Sequence, residues 1–257
     1  MILAIDVGNT NTVIGGFDEK DKLAFESRIS TDQFRMEDQY AVMLSEILNL
    51  YGHKPDEVTG AVMSSVVPPT TLQIKRAVEK VCGCRALTVG PGLKTGLNIK
   101  IDEPSSLGAD MAAVAVGAKE HYPLPAIVVD LGTATKILAV DKSGAFIGGI
   151  IAPGIKISVE ALASRTASLP LISIAGEPVK RVIGANTIDC MRSGLLNGTA
   201  FMIGGMIESF EREMGEKCTV VATGGFSSAI APLCKRKLIL DSSLILTGLL
   251  DIYKKNR

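Results

Sequence analysis

Two segments of this chain repeat one pattern, and the repeat restricts the fold more than any other feature of the sequence. Residues 3–12 read LAIDVGNTNT and residues 127–136 read IVVDLGTATK. Each segment is an apolar run followed by Asp, an apolar residue, Gly and small hydroxyl or amide residues, so Asp6 and Asp130 hold equivalent positions. Internal self-similarity of this kind indicates duplicated structural units. A chain of 257 residues is long enough for two such units, each with its own core.

The apolar pattern predicts an α/β protein in which each copy opens with strands. Residues 2–6, 12–17 and 22–29 are β-type runs separated by turn residues, and residues 126–130 begin the second copy in the same way. Helical spacings of three and four follow in both halves.

We expect two duplicated domains, residues 1–117 and 118–257, with the last helix able to pack back on the first domain.

A long helix is predicted over Asn186–Met214. Its apolar face is predicted from seven residues at helical spacing: Ile188, Met191, Leu195, Thr199, Met202, Met206 and Phe210. The opposite side carries three glycines that would permit close approach of another helix: Gly194, Gly198 and Gly205. That other helix would lie within the fold or across a dimer. This helix is the candidate dimer element, and we expect a homodimer.

Charge and cysteine content exclude several classes of protein. The 27 basic and 27 acidic residues cancel, so no global field favours nucleic acid or an anionic membrane as a partner. A β-type run follows Met1 directly, without the pattern of a signal peptide, and the uncharged stretch Ser193–Ile207 is too short to span a bilayer. Five cysteines, an odd and scattered set, fit reduced thiols in the cytoplasm.

Three strand ends carry residue types that bind phosphate. Asp6-Val-Gly-Asn-Thr, Asp130-Leu-Gly-Thr-Ala-Thr and Ala222-Thr-Gly-Gly combine glycines, which let backbone N–H groups approach an oxygen, with hydroxyl donors and two acids. One such turn alone is commonly an ordinary Asx-type turn. Two acid-ended turns at duplicated positions together with a double-glycine turn favour a polyphosphate site with a bound metal ion.

Eight motifs in order along the chain resemble those of the bacterial type III pantothenate kinases. They are DVGNTNT, SSVVPP, VGPGLKTGLNIK, LGAD, DLGTAT, GGIIAPGIKISVEAL, LP and ATGG. The resemblance implies two duplicated actin-like (ribonuclease H-like) domains of the sugar-kinase and Hsp70 ATPase superfamily, with ATP in the cleft between them. It also implies transfer of a phosphoryl group from ATP to pantothenate, the first step of coenzyme A biosynthesis.

The same resemblance implies which residues bind ATP and the metal ions. ATP phosphates would be held by Asp6, Val7, Gly8, Asn9, Thr10, Asn11, Thr12 and Val13, together with Thr133. Asp6 would organise Mg²⁺, and Asp130 would bind a monovalent cation, K⁺ or NH₄⁺. Cations between two acids and a polyphosphate make electrostatic sense.

For the acceptor, the resemblance implies a Gly-x-Asp-Arg motif and a threonine from the partner subunit. Gly108, Ala109 and Asp110 match the motif and Thr187 matches the threonine, with Asp110 as the catalytic base for the pantothenate hydroxyl. Met111 occupies the substrate-binding position of the motif arginine.

Two further positions differ from the family pattern. A tyrosine of the family falls on Ile101, and Lys136 follows the second turn where the family has threonine. Arginine holds a carboxylate with a charged fork that methionine lacks. Three alternatives therefore stay open: an active pantothenate kinase, a kinase for a related alcohol, or an impaired homologue that acts as a ligand-binding regulator.

Overall fold

The computed structural model describes residues 1–174 and 181–257. The chain divides into two compact units. Unit 1 contains residues 1–98, 102–121 and 243–257, and unit 2 contains residues 99–101 and 122–242. Unit 1 continues to His121, beyond the expected boundary at residue 117, and it contains the C-terminal helix, which was expected to be able to pack on the first domain.

Unit 1 is built around a five-stranded sheet in the order β3, β2, β1, β4, β5. Its strands are β1 (Ile2–Val7), β2 (Asn11–Phe17), β3 (Leu23–Ser30), β4 (Gly60–Ser65) and β5 (Ala86–Thr88), numbered along the whole chain. Its helices are α1 (Glu37–Leu50), α2 (Pro68–Cys82), α3 (Ala109–His121) and α7 (Leu244–Lys254). Single 3₁₀ turns lie at Pro55–Glu57 and Pro104–Ser106.

The alternation of side chains along β1 fills a core on each face of this sheet. Leu3 and Ile5 point to one face, where they pack in a cluster with α1 and α2. Ala4 points to the other face and packs in a cluster with residues of α3 and α7. Because both faces are covered, β1 is buried along most of its length, and its carboxyl end is held in a fixed position.

Unit 2 is built around a six-stranded sheet in the order β11, β10, β7, β8, β9, β6. Its strands are β6 (Asn98–Ile99), β7 (Ala126–Leu131), β8 (Ala134–Val140), β9 (Ala145–Pro153), β10 (Thr219–Thr223) and β11 (Ile239–Leu240). Its helices are α4 (Ile155–Arg165), α5 (Thr187–Met214) and α6 (Ser227–Ile230), with a 3₁₀ turn at Ala231–Leu233.

The two sheets repeat one arrangement of strands. In unit 1, β1 pairs antiparallel with β2 and parallel with β4. In unit 2, β7 pairs antiparallel with β8 and parallel with β10. The predicted α/β fold class with two duplicated units is confirmed.

Helix α5 has the predicted length, and Met191 of its predicted apolar face is buried, but the centre of the buried face differs from the prediction. The fully buried stripe is Leu196, Ala200, Ile203 and Ile207, whereas Met202, Met206 and Phe210 lie half-buried at its margin and Ile188 is exposed. Both stripes have helical spacing and apolar side chains, so periodicity alone could not choose between them. Within the described residues, no helix, α5 included, is both long and apolar enough to cross a membrane.

Candidate active site

The first acid-ended turn is a tight loop that is held by hydrogen bonds within the loop and from Thr31. It joins β1 to β2, whose last paired residues are Val7 and Thr12. Inside the loop, the Gly8 N–H donates to the carbonyl oxygen of Asn11 at 3.0 Å. From the end of β3, the Thr31 hydroxyl donates to the carbonyl oxygen of Gly8 at 2.7 Å, and the Thr31 N–H donates to the Thr10 carbonyl at 3.0 Å. The loop is therefore held in shape by the protein itself.

Asp6, the acid of this turn, is oriented by a buried serine. Ser64 is directly opposite Asp6 in the parallel pairing of β1 with β4, and its hydroxyl donates to Asp6 Oδ1 at 2.7 Å. Among the described residues, no group of three or more His, Cys, Asp and Glu side chains could hold a metal ion. Mg²⁺ bound with a nucleotide needs only one or two carboxylates, since phosphates and waters complete its shell. An Asp6 carboxylate held by Ser64 fits that requirement.

The second acid-ended turn joins β7 to β8 and is one residue shorter than the first. Its last paired residues are Leu131 and Thr135, which enclose residues 132–134, whereas residues 8–11 form the first loop. A Cβ built on Gly132 would lie 3.6 Å from Asp130 Oδ1, which places the carboxylate against the turn.

Two glycine-containing segments pack on this second turn. At Gly154, which precedes α4, a Cβ would overlap the carbonyl oxygen of Thr133. At Gly224, which follows β10 and has a φ of +88°, a Cβ would lie 2.6 Å from the backbone of Leu131. The Asp130 turn and the ATGG turn, two of the three glycine-containing strand ends, therefore lie in contact within unit 2. Glycine is required at both contacts because any side chain would displace the turn.

Asp130 forms an ion pair with a lysine of the same hairpin. Lys136 is directly opposite Asp130 in the β7–β8 ladder, and its Nζ lies 2.8 Å from Asp130 Oδ2. Both side chains are largely buried, with exposures of 15% for Asp130 and 16% for Lys136. The resemblance to the family implies a free monovalent cation at this carboxylate. With an ammonium group already in contact with it, the residues present do not suit such a cation.

The acceptor motif lies at the start of α3 in unit 1. Asp110 is the second residue of this helix, and its Oδ1 accepts the N–H of Met111 at 2.8 Å. A Cβ on Gly108 would lie 2.8 Å from Asp110 Oδ1 and 3.4 Å from the ε-methyl of Met111. Gly108 and Ala109 therefore form the backbone over which the carboxylate and the methionine side chain fold, and an apolar methyl group lies beside the candidate base.

Thr187 and Ile101 both belong to unit 2, whereas the acceptor motif belongs to unit 1. Thr187 is the exposed first residue of α5, directly after the helix cap Asn186, whose side chain accepts the Asp189 N–H at 2.9 Å. Because Asn186 performs the capping, Thr187 is not needed for it.

Unit 1 holds the first turn and the acceptor motif, and unit 2 holds Asp130, Thr133 and Thr187. The sequence analysis did not assign a role to two residues that hold the first turn and its acid, Ser64 and Thr31. Ser64 could have been found, because it ends an apolar run that would pair in parallel with the first strand. Thr31 gives no comparable signal.

Solved structures show the fold of the chain. The inorganic polyphosphate/ATP-glucomannokinase of Arthrobacter sp. strain KM matches it with a TM-score of 0.52 at 14% identity, over 99% of this chain and 98% of the other. At that identity the likeness shows the fold alone, which is the actin-like fold of the sugar kinases, present here as two domains.

Sequence comparisons show the family. The family model of type III pantothenate kinase matches residues 2–209. The type III pantothenate kinase of Halalkalibacterium halodurans is 42% identical over 256 residues, and that of Brevibacillus brevis is 43% identical over 257 residues, each covering 100% of both chains. This chain belongs to the type III pantothenate kinase family.

Proposed function

We propose that this protein phosphorylates pantothenate with ATP to give 4'-phosphopantothenate and ADP. The observation that carries the proposal is the match to type III pantothenate kinases over the full length of the chain. The two acid-ended hairpins, each held by its own unit, supply the phosphate-binding elements that such a reaction needs.

On the nucleotide side, residues 6–13 and Thr133 bind the phosphates of ATP. Glycine and hydroxyl residues in both turns bring N–H and O–H donors to phosphate oxygens. Asp6 holds Mg²⁺, which neutralises charge on the transferring phosphoryl group when it is bound. Ser64 keeps the Asp6 carboxylate in one orientation, so little reordering accompanies nucleotide binding.

On the acceptor side, Asp110 orients the primary hydroxyl of pantothenate. That oxygen forms the new bond to the γ-phosphorus, the bond between this phosphorus and the β,γ-bridging oxygen breaks, and Asp110 takes the hydroxyl proton. Because phosphoryl transfer is largely dissociative, the base need not be strong, and an ordinary carboxylate suffices.

Met111 leaves the substrate carboxylate without the arginine fork that the family motif supplies. Its ε-methyl lies beside Gly108, so the surface at this point of the motif is apolar. We propose that Gly108, Ala109 and Met111 contact the apolar part of pantothenate, and that the carboxylate is bound by other residues.

The active form is a homodimer in which Thr187 of one subunit completes the acceptor site of the other. Exposed apolar side chains around the start of α5 and along its outer face support an interface there: Val182, Ile183, Ile188 and Phe201. The protein acts in the cytoplasm, where its five free thiols stay reduced.

The test is steady-state phosphorylation of pantothenate by the purified protein with ATP and Mg²⁺. Wild-type turnover that falls by about 10²-fold or more in Asp110→Asn supports the proposal, because general-base contributions have that size. An Asp110→Asn variant with unchanged turnover refutes the role of Asp110. A wild type without turnover, beside an active Met111→Arg variant, refutes pantothenate as the substrate of the natural chain.

A further inference from the structure

The ion pair between Lys136 and Asp130 is built into the middle of the second sheet. Strand β8 lies between β7 and β9, so the backbone of Lys136 is held by ladders on both sides. Its neighbours along the strand, Thr135 and Ile137, are 1% and 0% exposed. The Lys136 side chain is itself largely buried, and its ammonium group lies against the carboxylate rather than extending into solvent.

The duplicated hairpin of unit 1 shows what this lysine adds. The position directly opposite Asp6 in the β1–β2 ladder is Val13, whereas the position directly opposite Asp130 in the β7–β8 ladder is Lys136. Asp6 receives a neutral hydroxyl from Ser64 at 2.7 Å, and Asp130 receives a full positive charge at 2.8 Å. The two hairpins therefore differ at this position: the residue opposite Asp6 is apolar, and the residue opposite Asp130 brings an ammonium group to the carboxylate.

We propose that the Lys136 ammonium group replaces the free monovalent cation at Asp130, so that this kinase works without K⁺ or NH₄⁺. The inference rests on the proposed function, since it concerns the cation requirement of that reaction. It makes Lys136 a positioning residue, which acts by fixing the Asp130 carboxylate and its charge.

The chemical likeness of the lysine ammonium group to NH₄⁺ supports the proposed replacement. A lysine ammonium is a compact unit charge with N–H donors, like NH₄⁺, and it is tethered rather than drawn from solution. A second cation on the same carboxylate would be repelled by the first at short range, more strongly than in water because both side chains are largely buried. Gly132 of the second turn lies against the Asp130 carboxylate, so the charge is compensated next to the proposed phosphate site.

The first experiment measures pantothenate phosphorylation with tetramethylammonium, K⁺ or NH₄⁺ as the only monovalent cation, at a constant ionic strength of about 0.1 M. Wild-type turnover is expected to be the same in all three salts. Lys136→Thr, which opens space beside Asp130, is expected to lose about 10²-fold in tetramethylammonium and to recover in K⁺ or NH₄⁺. Lys142→Thr removes an exposed lysine from the same unit, 3.7 Å from Glu216, and serves as the matched control.

A second measurement does not depend on catalysis. The melting temperature of the complex with ADP and Mg²⁺ is compared in K⁺ and in tetramethylammonium. A ligand that binds only the folded protein raises its stability, so Lys136→Thr is expected to gain a K⁺-specific rise that wild type and Lys142→Thr lack. If wild type phosphorylates no pantothenate in any salt, the proposed function fails and this melting comparison still decides the inference.

Wild type alone can overturn the inference, whatever the variant does. K⁺-stimulated turnover or a K⁺-specific rise in the wild-type melting temperature would show that a free cation still binds. A folded Lys136→Thr protein with full turnover in tetramethylammonium, or one that neither K⁺ nor NH₄⁺ restores, would also contradict it.

Discussion

Ser64 donates its hydroxyl to Asp6 Oδ1 at 2.7 Å across neighbouring strands. The two residues are directly opposite in the parallel pairing of β1 with β4, and Ser64 is completely buried. A hydrogen bond from a buried donor fixes the rotamer of the carboxylate before any ligand binds. The first acid of the proposed nucleotide site is therefore pre-oriented by the sheet.

Replacing this serine should affect stability and nucleotide binding together. Ser64→Ala removes the hydrogen bond to a charged acceptor, which should lower the free energy of unfolding by about 1–3 kcal/mol. The KM for ATP should rise, because Asp6 then has to be ordered on binding. Urea unfolding and ATP kinetics check both. The control is Ser45→Ala, whose hydroxyl donates to Ala41 in its own helix; equal effects from the two variants would refute the role of Ser64.

Glycine should be required at position 154 because the backbone there approaches another backbone segment closely. Its φ of −73° is accessible to any residue, so only the close approach to the Thr133 carbonyl requires glycine. Gly154→Ala should displace the second turn, weaken the binding of a non-hydrolysable ATP analogue, and destabilise the protein by about 1–3 kcal/mol. Calorimetric titration and thermal melting measure these effects.

The same substitution should have the opposite effect at Gly204, in the middle of α5. A Cβ there meets nothing within 4 Å. Gly204→Ala should therefore stabilise the protein by about 0.5–1 kcal/mol, because alanine favours the helix.

Unchanged binding of the ATP analogue in Gly154→Ala would contradict the role assigned to the contact between Gly154 and the Thr133 carbonyl.

The repeated acid-ended turns were predictable from sequence because their signals are local. Apolar runs that end at Asp6 and Asp130 define β1 and β7 to within one residue of the predicted bounds. Glycine and small polar residues after each acid then predict the hairpin. The fold class follows from these repeated runs, and the family resemblance follows from the eight motifs, which keep their order along the chain.

The partners of the two acids depend on strand register, which the sequence did not reveal. Ser64 lies far along the chain from Asp6, and it meets the carboxylate only because β4 pairs with β1 in one particular register. Lys136 was noted as a departure from the family pattern, but its contact with Asp130 depends on a loop that is one residue shorter than its counterpart. A one-residue slip would have turned its side chain to the other face of the sheet.

Acid should weaken unit 2 through Glu211. Burial would raise the pKa of this carboxyl, but hydrogen bonds from Lys217 Nζ at 2.7 Å and the Cys218 N–H at 2.9 Å, together with one from Arg236, outweigh it and lower the pKa to about 2. Because the pKa of Glu211 in the folded protein is below the ordinary value of 4.5, its ionised carboxylate stabilises the protein at pH values above 4.5. The gain, at most about 3 kcal/mol, should be lost as the pH falls from about 4.5 to 2.

Glu211→Gln should remove this part of the pH dependence. The variant should be less stable than wild type at pH 7 and approach it near pH 2 in urea unfolding, since the wild-type carboxyl is then protonated. Glu216→Gln is the control, because its 3.7 Å pair with Lys142 is exposed and such pairs contribute little. Parallel curves for wild type and Glu211→Gln across the acid range would contradict the assignment.

The outer face of α5 should decide whether the protein is a dimer. Phe201 is 51% exposed there, and a Cβ added at Gly194, Gly198 or Gly205 meets nothing within 4 Å, so another helix could approach this face closely. Phe201→Asp would bury a charge in such an interface and should convert a dimer into a monomer in sedimentation velocity. Pantothenate turnover should fall with it, because Thr187 of the partner subunit would be lost from the acceptor site. Leu50→Asp, at a site 76% exposed in unit 1, should change neither, and a Phe201→Asp protein that stays dimeric would place the interface elsewhere.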